Sequence, residues 1–250
     1  MSVQPVYALP FHITFLIFII FSLVGWLSEV LYVGIFFEHK FVNRGFLHGP
    51  ICPIYGFGGL TILLLPQSLY STWGMLFCAS MLFGTIVEYL SSWILEKLFH
   101  TRWWDYSHYK FNIRGRVCLL NSLLFGVLGV VIIHFVQPYV MWYLSLFPEF
   151  VLKLSADIIA IALTVDLLIT VRRLVDFSVS LEKLRALKEK YGAEFTRALD
   201  QLQPKIRNIE SFVHRFPTLK SLNYKEELDL LKQRIKNVKS KFWNKKPPKA

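Results

Sequence analysis

Five long apolar runs constrain this chain more than any other feature, and they lie at residues 11–37, 51–70, 73–99, 117–137 and 150–171. Each run is long enough to cross about 30 Å of hydrocarbon as a helix, allowing for tilt. With 54% hydrophobic residues and a mean hydropathy of +0.43, the chain is too apolar for an ordinary soluble domain. The sequence therefore predicts an all-α, polytopic membrane bundle with five transmembrane helices.

The basic residues fall almost entirely on one side of this predicted bundle. With five spans, the segments 1–10, 66–73 and 138–150 share one side and contain no Lys or Arg, whereas the other side holds all but one of the 28. The exception, Lys153, lies just inside the fifth run. Because basic loops stay in the cytosol, we expect a multi-pass protein of the cell membrane with its N-terminus outside and its C-terminus in the cytosol.

The formal net charge of +11 belongs to the C-terminal third of the chain, because residues 1–171 have equal numbers of acidic and basic side chains. Beyond Arg173 the pattern becomes that of amphipathic helix. We therefore divide the chain into a transmembrane domain, 1–172, and a basic cytosolic helical tail, 173–250. Such a tail is expected to bind the anionic inner leaflet rather than nucleic acid. Its two apolar stripes are Leu181, Leu184, Leu187 and Tyr191, and Leu228, Leu231, Ile235 and Val238.

Two acidic residues, Glu29 and Glu88, lie inside apolar runs that resemble each other. An ionised side chain at membrane depth costs about 3 kcal/mol or more, so each is a candidate functional residue. The matches predict a parallel repeat of two hairpins followed by a fifth helix, with the two glutamates equivalent and facing one another. Chance recurrence of packing glycines is the alternative. The matched pairs are Gly25 with Gly84, Glu29 with Glu88, Arg44 with Arg114, Gly45 with Gly115, Tyr55 with Phe125, Gly56 with Gly126 and Gly59 with Gly129.

The fifth run carries two more acids, Asp157 and Asp166. Nine residues of helix place them on roughly opposite faces, so a straight helix cannot point both at one cavity. We expect structural roles for this pair.

The segment 43–59, NRGFLHGPICPIYGFGG, is rich in glycine and proline. It predicts a non-helical entry to the second span, with backbone groups exposed near His48 and Tyr55. A tight turn packed on the end of the bundle is the alternative. We take Glu29, Glu88, His48, Tyr55 and Asn121 as candidate residues for binding a substrate or ion.

The loop between the third and fourth runs, 96–118, is dense in aromatic, basic and acidic side chains. Asp105 is an acid in a basic loop, and we expect it to pair with Arg102, Arg114 or Arg116. These arginines are suited to bind phosphate, although an interfacial aromatic belt and the positive-inside bias explain most of the composition. The candidate polar cluster of the cytosolic loops is Arg44, Glu96, Trp104, Asp105, Tyr106, Arg114 and Arg116.

Three segments, NRGFLHGPICPIYGFG, EYLSSWILEKLF and WWDYSHYKFNIRGRVCLLNSLLFGVLG, together resemble the bacterial family of putative ABC-transporter type IV, or CmpB-like, membrane proteins. The resemblance covers roughly residues 15–135 and leaves out the basic tail. It implies a permease role but no established reaction. It implies that the motif residues here are Glu29, Asn43, Arg44, Gly45, Gly49, Pro50, Cys52, Pro53, Tyr55, Gly56, Glu88, Trp93, Glu96, Trp104, Asp105, Tyr106, Arg116 and Cys118.

The sequence limits what such a transporter could do alone. No G-x-x-x-x-G-K-[ST] phosphate loop occurs, so ATP hydrolysis would need a separate ATPase subunit. A chain this short favours a homo-oligomer or a complex over a monomeric transporter. The three cysteines match no metal-binding spacing, and we expect no metal, no cofactor, no catalytic residues and no enzyme activity.

We therefore expect a transport component in which Glu29 and Glu88 line a cytosol-facing cavity and bind a cation or relay protons, with the substrate left open. One alternative is a membrane scaffold or regulator that acts through the basic tail. Another is a lipid-active interfacial enzyme, with acid–base groups from Glu88, Glu96, His48, Asp105 and His108.

Overall fold

The computed structural model of the protein describes residues 6–33, 43, 45–191, 213 and 219–233. This part of the chain is mostly helical, which confirms the predicted helical class. It forms two compact units, Met1–Trp93 with Tyr106–Val171 (unit 1) and Ile94–Asp105 with Arg172–Ala250 (unit 2).

The helices and strands follow one another along the chain in a simple order. The helices are α1 Phe11–Val33, α2 Pro53–Leu63, α3 Trp73–Phe99, α4 Leu119–Val131, a π-helical segment Ile132–Val136, α5 Gln137–Ser145 and α6 Glu149–Tyr191. Short 3-10 turns occur at Val6–Ala8 and Gln67–Leu69, and residues 225–233 are helical. The strands are β1 Thr101–Arg102, β2 Asn112–Ile113, β3 Val117–Cys118 and β4 Lys220–Ser221.

Four helices in the described part of the chain are long and apolar enough to cross a membrane: Phe11–Leu31, Trp73–Phe99, Leu119–Ser145 and Glu149–Lys190. The predicted second span contains only a shorter helix. Its helix, α2, has 11 residues, which is about 16 Å at 1.5 Å per residue. Proline limits it, since Pro53 occupies the first turn and Pro66 precedes the 3-10 turn.

The fourth apolar run extends further than the sequence predicted, because the helix passes through residue 137 and ends at Ser145. Pro138 is tolerated there because a π-helical segment comes immediately before α5. The helix of the fifth run likewise continues, without a break, through the start of the predicted amphipathic tail to Tyr191.

Glycines set the packing of α1 on α2 and of α3 on α4 in unit 1. A Cβ atom on Gly25 would lie 2.2 Å from Tyr55 Cγ, and one on Gly84 would lie 2.8 Å from Phe125 Cβ. These contacts join the residues that the predicted repeat treats as equivalent, Gly25 with Gly84 and Tyr55 with Phe125. The same glycine-to-aromatic contact therefore closes both helix pairs.

A second set of glycine contacts follows the same correspondence. A Cβ on Gly56 would lie 2.5 Å from the Phe18 ring, and one on Gly126 would lie 2.6 Å from the Phe77 ring. The apolar core of unit 1 surrounds these contacts, and its most deeply buried members include Ile17, Leu63, Leu76 and Ile133.

Unit 2 has an apolar core of its own. The predicted stripes are confirmed at Leu181, Leu184, Leu228 and Leu231, all of which are buried. The side chains of Leu187 and Tyr191, and all of Ile235 and Val238, lie outside the described residues. Strand β4 pairs with β1 in an antiparallel arrangement, in which Ser221 faces Thr101 and Lys220 faces Arg102.

Candidate functional site

Glu88 lies on the buried face of α3, which consists of residues four apart: Leu76, Ser80, Gly84, Glu88 and Ser92. Its side chain is 5% exposed. Oε1 accepts hydrogen bonds from the Tyr106 hydroxyl (3.2 Å) and from Asn121 Nδ2 (3.3 Å). Oε2 is buried and has no hydrogen-bond partner within the described part of the chain.

Glu29 occupies the corresponding position on α1 and is half-buried. Its Oε1 accepts a hydrogen bond of 2.7 Å from the Tyr55 hydroxyl of α2. Gly25, one turn before Glu29, lies directly against the Tyr55 ring. The absence of a side chain at Gly25 therefore lets the tyrosine approach the acid.

Tyr106 is hydrogen-bonded to Glu88 and also lies within electrostatic reach of Glu29. Burial raises the pKa of Tyr106, and the charge of Glu88 and its hydrogen bond act in the same direction, opposed by the hydrogen bond with Asn121. The charge of Glu29 also raises this pKa, so both acids act on one hydroxyl. We call Glu29, Tyr55, Glu88, Tyr106 and Asn121 the carboxylate cluster. Sequence reasoning assigned Tyr106 to the polar cluster of the loops rather than to these acids.

The other candidate binding residue, His48, is held by its backbone, and its side chain is exposed. The amides of His48 and Gly49 donate to the two Asp166 carboxylate oxygens at 2.8 and 2.7 Å. The Thr170 hydroxyl donates to Asp166 at 3.2 Å. Asp166 therefore has the structural role expected of it and anchors the loop that precedes α2, whereas Asp157 is exposed.

The predicted non-helical entry to the second span is present, since the described residues between 43 and 52 form bends and no helix. The Asn43 side chain organises this segment. Its Oδ1 accepts hydrogen bonds from the Gly45 amide (2.9 Å) and from Trp26 Nε1 (2.8 Å). Arg44 lies outside the described residues.

The acidic members of the predicted loop cluster belong to an ion-pair network in unit 2. Arg102 Nε lies 2.9 Å from Glu96 Oε2, and Arg102 Nη1 lies 3.8 Å from Asp105 Oδ1. The expected pairing of Asp105 with an arginine is thus confirmed for Arg102. Lys220 of the tail also binds Asp105. Because Lys220 is 115 residues away in sequence, no local pattern could have indicated it.

A backbone contact strengthens this connection between the loop and the tail. The Leu222 amide donates to the His100 carbonyl at 3.0 Å, next to the β1–β4 pair. Beside it, the buried Trp103 ring packs edge-on against Phe99 at 5.6 Å. Trp104, another predicted cluster member, is half-buried. We call β1, β4, Asp105 and Lys220 the tail clasp.

Two further predicted arginines, Arg114 and Arg116, lie in the β2–β3 hairpin of unit 1. Arg114 and Gly115 have φ angles of 53° and 68°, and the Arg116 amide donates to the Ile113 carbonyl at 3.0 Å. Positive φ at both central positions is the geometry of a type I′ turn, which joins adjacent strands closely. Arg114 is exposed, whereas Arg116 is 6% exposed with its guanidinium 5.4 Å from the centre of the Tyr89 ring.

The chemistry available to the carboxylate cluster is acid–base and electrostatic. Its members are two carboxyl groups, two phenols and one amide, which can hold a proton or a small cation. No group of three or more His, Cys, Asp or Glu side chains that could hold a metal ion occurs among the described residues. Cys52, Cys78 and Cys118 are free thiols.

Comparisons with known proteins identify the family. A search of curated proteins and a search of solved structures found no significant match to the chain. The profile of the family described as "Putative ABC-transporter type IV" matches residues 16–171. That range contains the whole carboxylate cluster and ends before the basic tail. The protein is therefore a member of the putative ABC-transporter type IV family.

Proposed function

We propose that the protein is a membrane transport component in which the carboxylate cluster binds and releases a proton or a small cation. One observation carries the proposal: Glu88 is 95% buried in an apolar helix, and its partners Tyr106 and Asn121 are both neutral. An ionised carboxylate in such surroundings is stable only when it is paired or neutralised. A proton or a cation at Oε2 would neutralise it.

The second acid gives the cluster its proposed ability to exchange this ion. Glu29 and Glu88 each accept a hydrogen bond from a phenol, Tyr55 at 2.7 Å and Tyr106 at 3.2 Å, so the cluster offers two carboxylates to an incoming ion. Tyr106 precedes the β2–β3 hairpin in the loop that basic residues assign to the cytosol. We therefore propose that the ion enters and leaves on the cytosolic side, past Tyr106.

The proposal includes an arrangement in the membrane. Residues 1–172 form the transmembrane domain, with α2 as the short second of five segments and two equivalent hairpins. The N-terminus lies outside, and the tail lies in the cytosol near anionic lipid, where each basic residue contributes about 1 kcal/mol of attraction. A separate ATPase subunit would supply energy, and homo-oligomers are expected. We assign no covalent chemistry to the chain.

Carbodiimide labelling tests the cluster without a partner protein. Dicyclohexylcarbodiimide reacts with protonated carboxyl groups in apolar surroundings, and mass spectrometry locates the adduct. We expect labelling of Glu88 in the purified protein and protection by any cation that binds the cluster. Exposed Glu149, at the start of α6, is the control and should remain unlabelled. Absence of the adduct at Glu88 over a range of pH would overturn the proposal.

Ion uptake driven by an imposed ion gradient, which needs no ATPase subunit, tests the transport role. Proteoliposomes that contain a pH indicator would be compared for the wild type, Glu88→Gln, Glu29→Gln and the control Glu149→Gln. We expect uptake by Glu88→Gln and by Glu29→Gln to be at least about tenfold slower than uptake by the wild type, because each variant loses a positioned proton-transfer group. The control should match the wild type. Equal uptake by all four proteins would refute the transport role.

The tail clasp favours a second candidate function, regulation through the tail. Here Lys220 binds the buried Asp105, and β4 pairs with β1, so the tail is tied to the residue just before Tyr106. Deletion of 176–250 distinguishes the candidates. If the protein is a regulator, deletion of the tail should abolish the cellular phenotype and Glu88→Gln should leave it intact. For a transport component, Glu88→Gln abolishes it.

A further inference from the structure

A second group of buried polar atoms lies in unit 1, away from the carboxylate cluster. The Gln137 side chain is 0% exposed, and neither its Oε1 nor its Nε2 has a hydrogen-bond partner among the described residues. His134, one turn earlier, also buries its Nε2 without a partner there. We call Gln137, His134 and the helix turn between them the far-end site.

The contacts of α3 place this site at the opposite end of the helix from Glu88. Thr85, near Glu88, bonds to Ser122 at 2.7 Å. Trp73, the first residue of α3, stacks on His134 with ring centres 5.1 Å apart. From Asn121, which bonds to Glu88, to Gln137 there are 16 residues, or about 24 Å at 1.5 Å per residue.

The backbone at the far-end site offers a further acceptor. Residues Ile132–Val136 are π-helical, and Pro138 has no backbone N–H to donate to the preceding turn. A carbonyl of that turn therefore lacks its helical donor. In transmembrane helices, backbone groups freed by proline are satisfied by neighbouring helices, Ser or Thr side chains, ordered water or local π adjustments.

We infer that the far-end site binds water molecules. An unpaired buried amide costs about 1–3 kcal/mol for each unsatisfied group, and the Gln137 amide presents both donors and an acceptor. Water is the ligand that satisfies donors and acceptors together, with two to four bonds per molecule. The imidazole nitrogen and the freed carbonyl complete its partners.

X-ray radiolysis in oxygen-18 water tests the site directly, because radicals from bound water label the side chains that touch it. The full-length protein in micelles is used. We expect label at His134 in the wild type and a loss of at least about fivefold in Gln137→Leu, since ordered water is held by its polar partners. Tyr139, which is exposed, is the internal control for equal dose and intact fold. Ile133→Val, at a fully buried apolar position, should leave the His134 label unchanged.

Absence of label at His134 in the wild type would overturn the inference, whether or not the Gln137 variant folds. Equal label in the wild type and Gln137→Leu would also overturn it. Failure of the proposed function would be seen in a separate measurement, as equal uptake rates for the wild type and Glu88→Gln.

Discussion

Substitution of Gly25 by alanine tests whether glycine contacts build the carboxylate cluster. The new Cβ would lie 2.2 Å from Tyr55 Cγ, about 1.3 Å closer than the ~3.5 Å at which carbon atoms attract. The ring must move away, which breaks the 2.7 Å hydrogen bond to Glu29. Gly58 is on the same short helix as Tyr55, and a Cβ atom added there would have no neighbour within 4 Å, so Gly58→Ala is the matched control.

The expected loss in the free energy of unfolding follows from three contributions. Overpacking costs about 1–3 kcal/mol, and the lost hydrogen bond costs about 1 kcal/mol. Replacement of a helical glycine by alanine stabilises the helix by about 1 kcal/mol, which offsets part of this loss. Gly25→Ala should therefore be destabilised by about 1–3 kcal/mol, whereas Gly58→Ala should gain up to about 1 kcal/mol.

Unfolding by sodium dodecyl sulfate in mixed micelles, followed by circular dichroism, measures both changes. In the same samples, carbodiimide labelling of Glu29 should change only in Gly25→Ala, because only that substitution moves Tyr55. Equal unfolding free energies for the two variants would refute the view that close contact at Gly25 positions Tyr55 against Glu29.

Three further outcomes are expected. Asp166→Asn should lower the free energy of unfolding by about 1–3 kcal/mol, since a charged acceptor of backbone amides is lost, whereas Asp157→Asn should change it little. Lys220→Ala should speed limited proteolysis of the tail, measured by mass spectrometry, and exposed Lys225→Ala should not. Burial raises the pKa of Tyr106, so the folded state binds its proton more tightly than the unfolded chain. Wild-type stability should therefore fall above pH ~10, the ordinary tyrosine pKa, and fall less steeply in Tyr106→Phe.

Each of these expectations has a contradicting result. Asp166→Asn and Asp157→Asn of equal stability would mean that the carboxylate does not anchor the loop before α2. Tail cleavage at the wild-type rate in Lys220→Ala would contradict the role of Lys220 in holding the tail. Parallel stability curves for the wild type and Tyr106→Phe between pH ~9 and ~11 would mean that the phenol is not buried among the acids.

The acids and the glycines could be predicted from sequence because each carries a local signal. A glutamate stands out in an apolar run, as Glu29 and Glu88 do. The glycines recur at constant offsets, and the structure places them in equivalent contacts with aromatic rings. The extent of α3, Trp73–Phe99, also follows from an apolar run bounded by polar residues.

Other features depend on distant parts of the chain and could not be predicted. The 11 residues of α2 are an exception, because Pro53 and Pro66 inside the apolar run 51–70 indicate a helix shorter than the run. Lys220 is one of many basic residues in the tail, and only tertiary structure selects it for Asp105. Gln137 was taken as the end of a span, and its complete burial comes from helices that pack around it.

The equivalent glycine contacts bear on the origin of the protein. A single two-helix segment that paired with an identical copy would have had one acid per copy, related by a two-fold axis normal to the membrane. Fusion of two such genes would free each half to diverge. Phe21 lies against Gly59 where Ser80 lies against Gly129, so the two halves differ at this level by an aromatic ring and a hydroxyl.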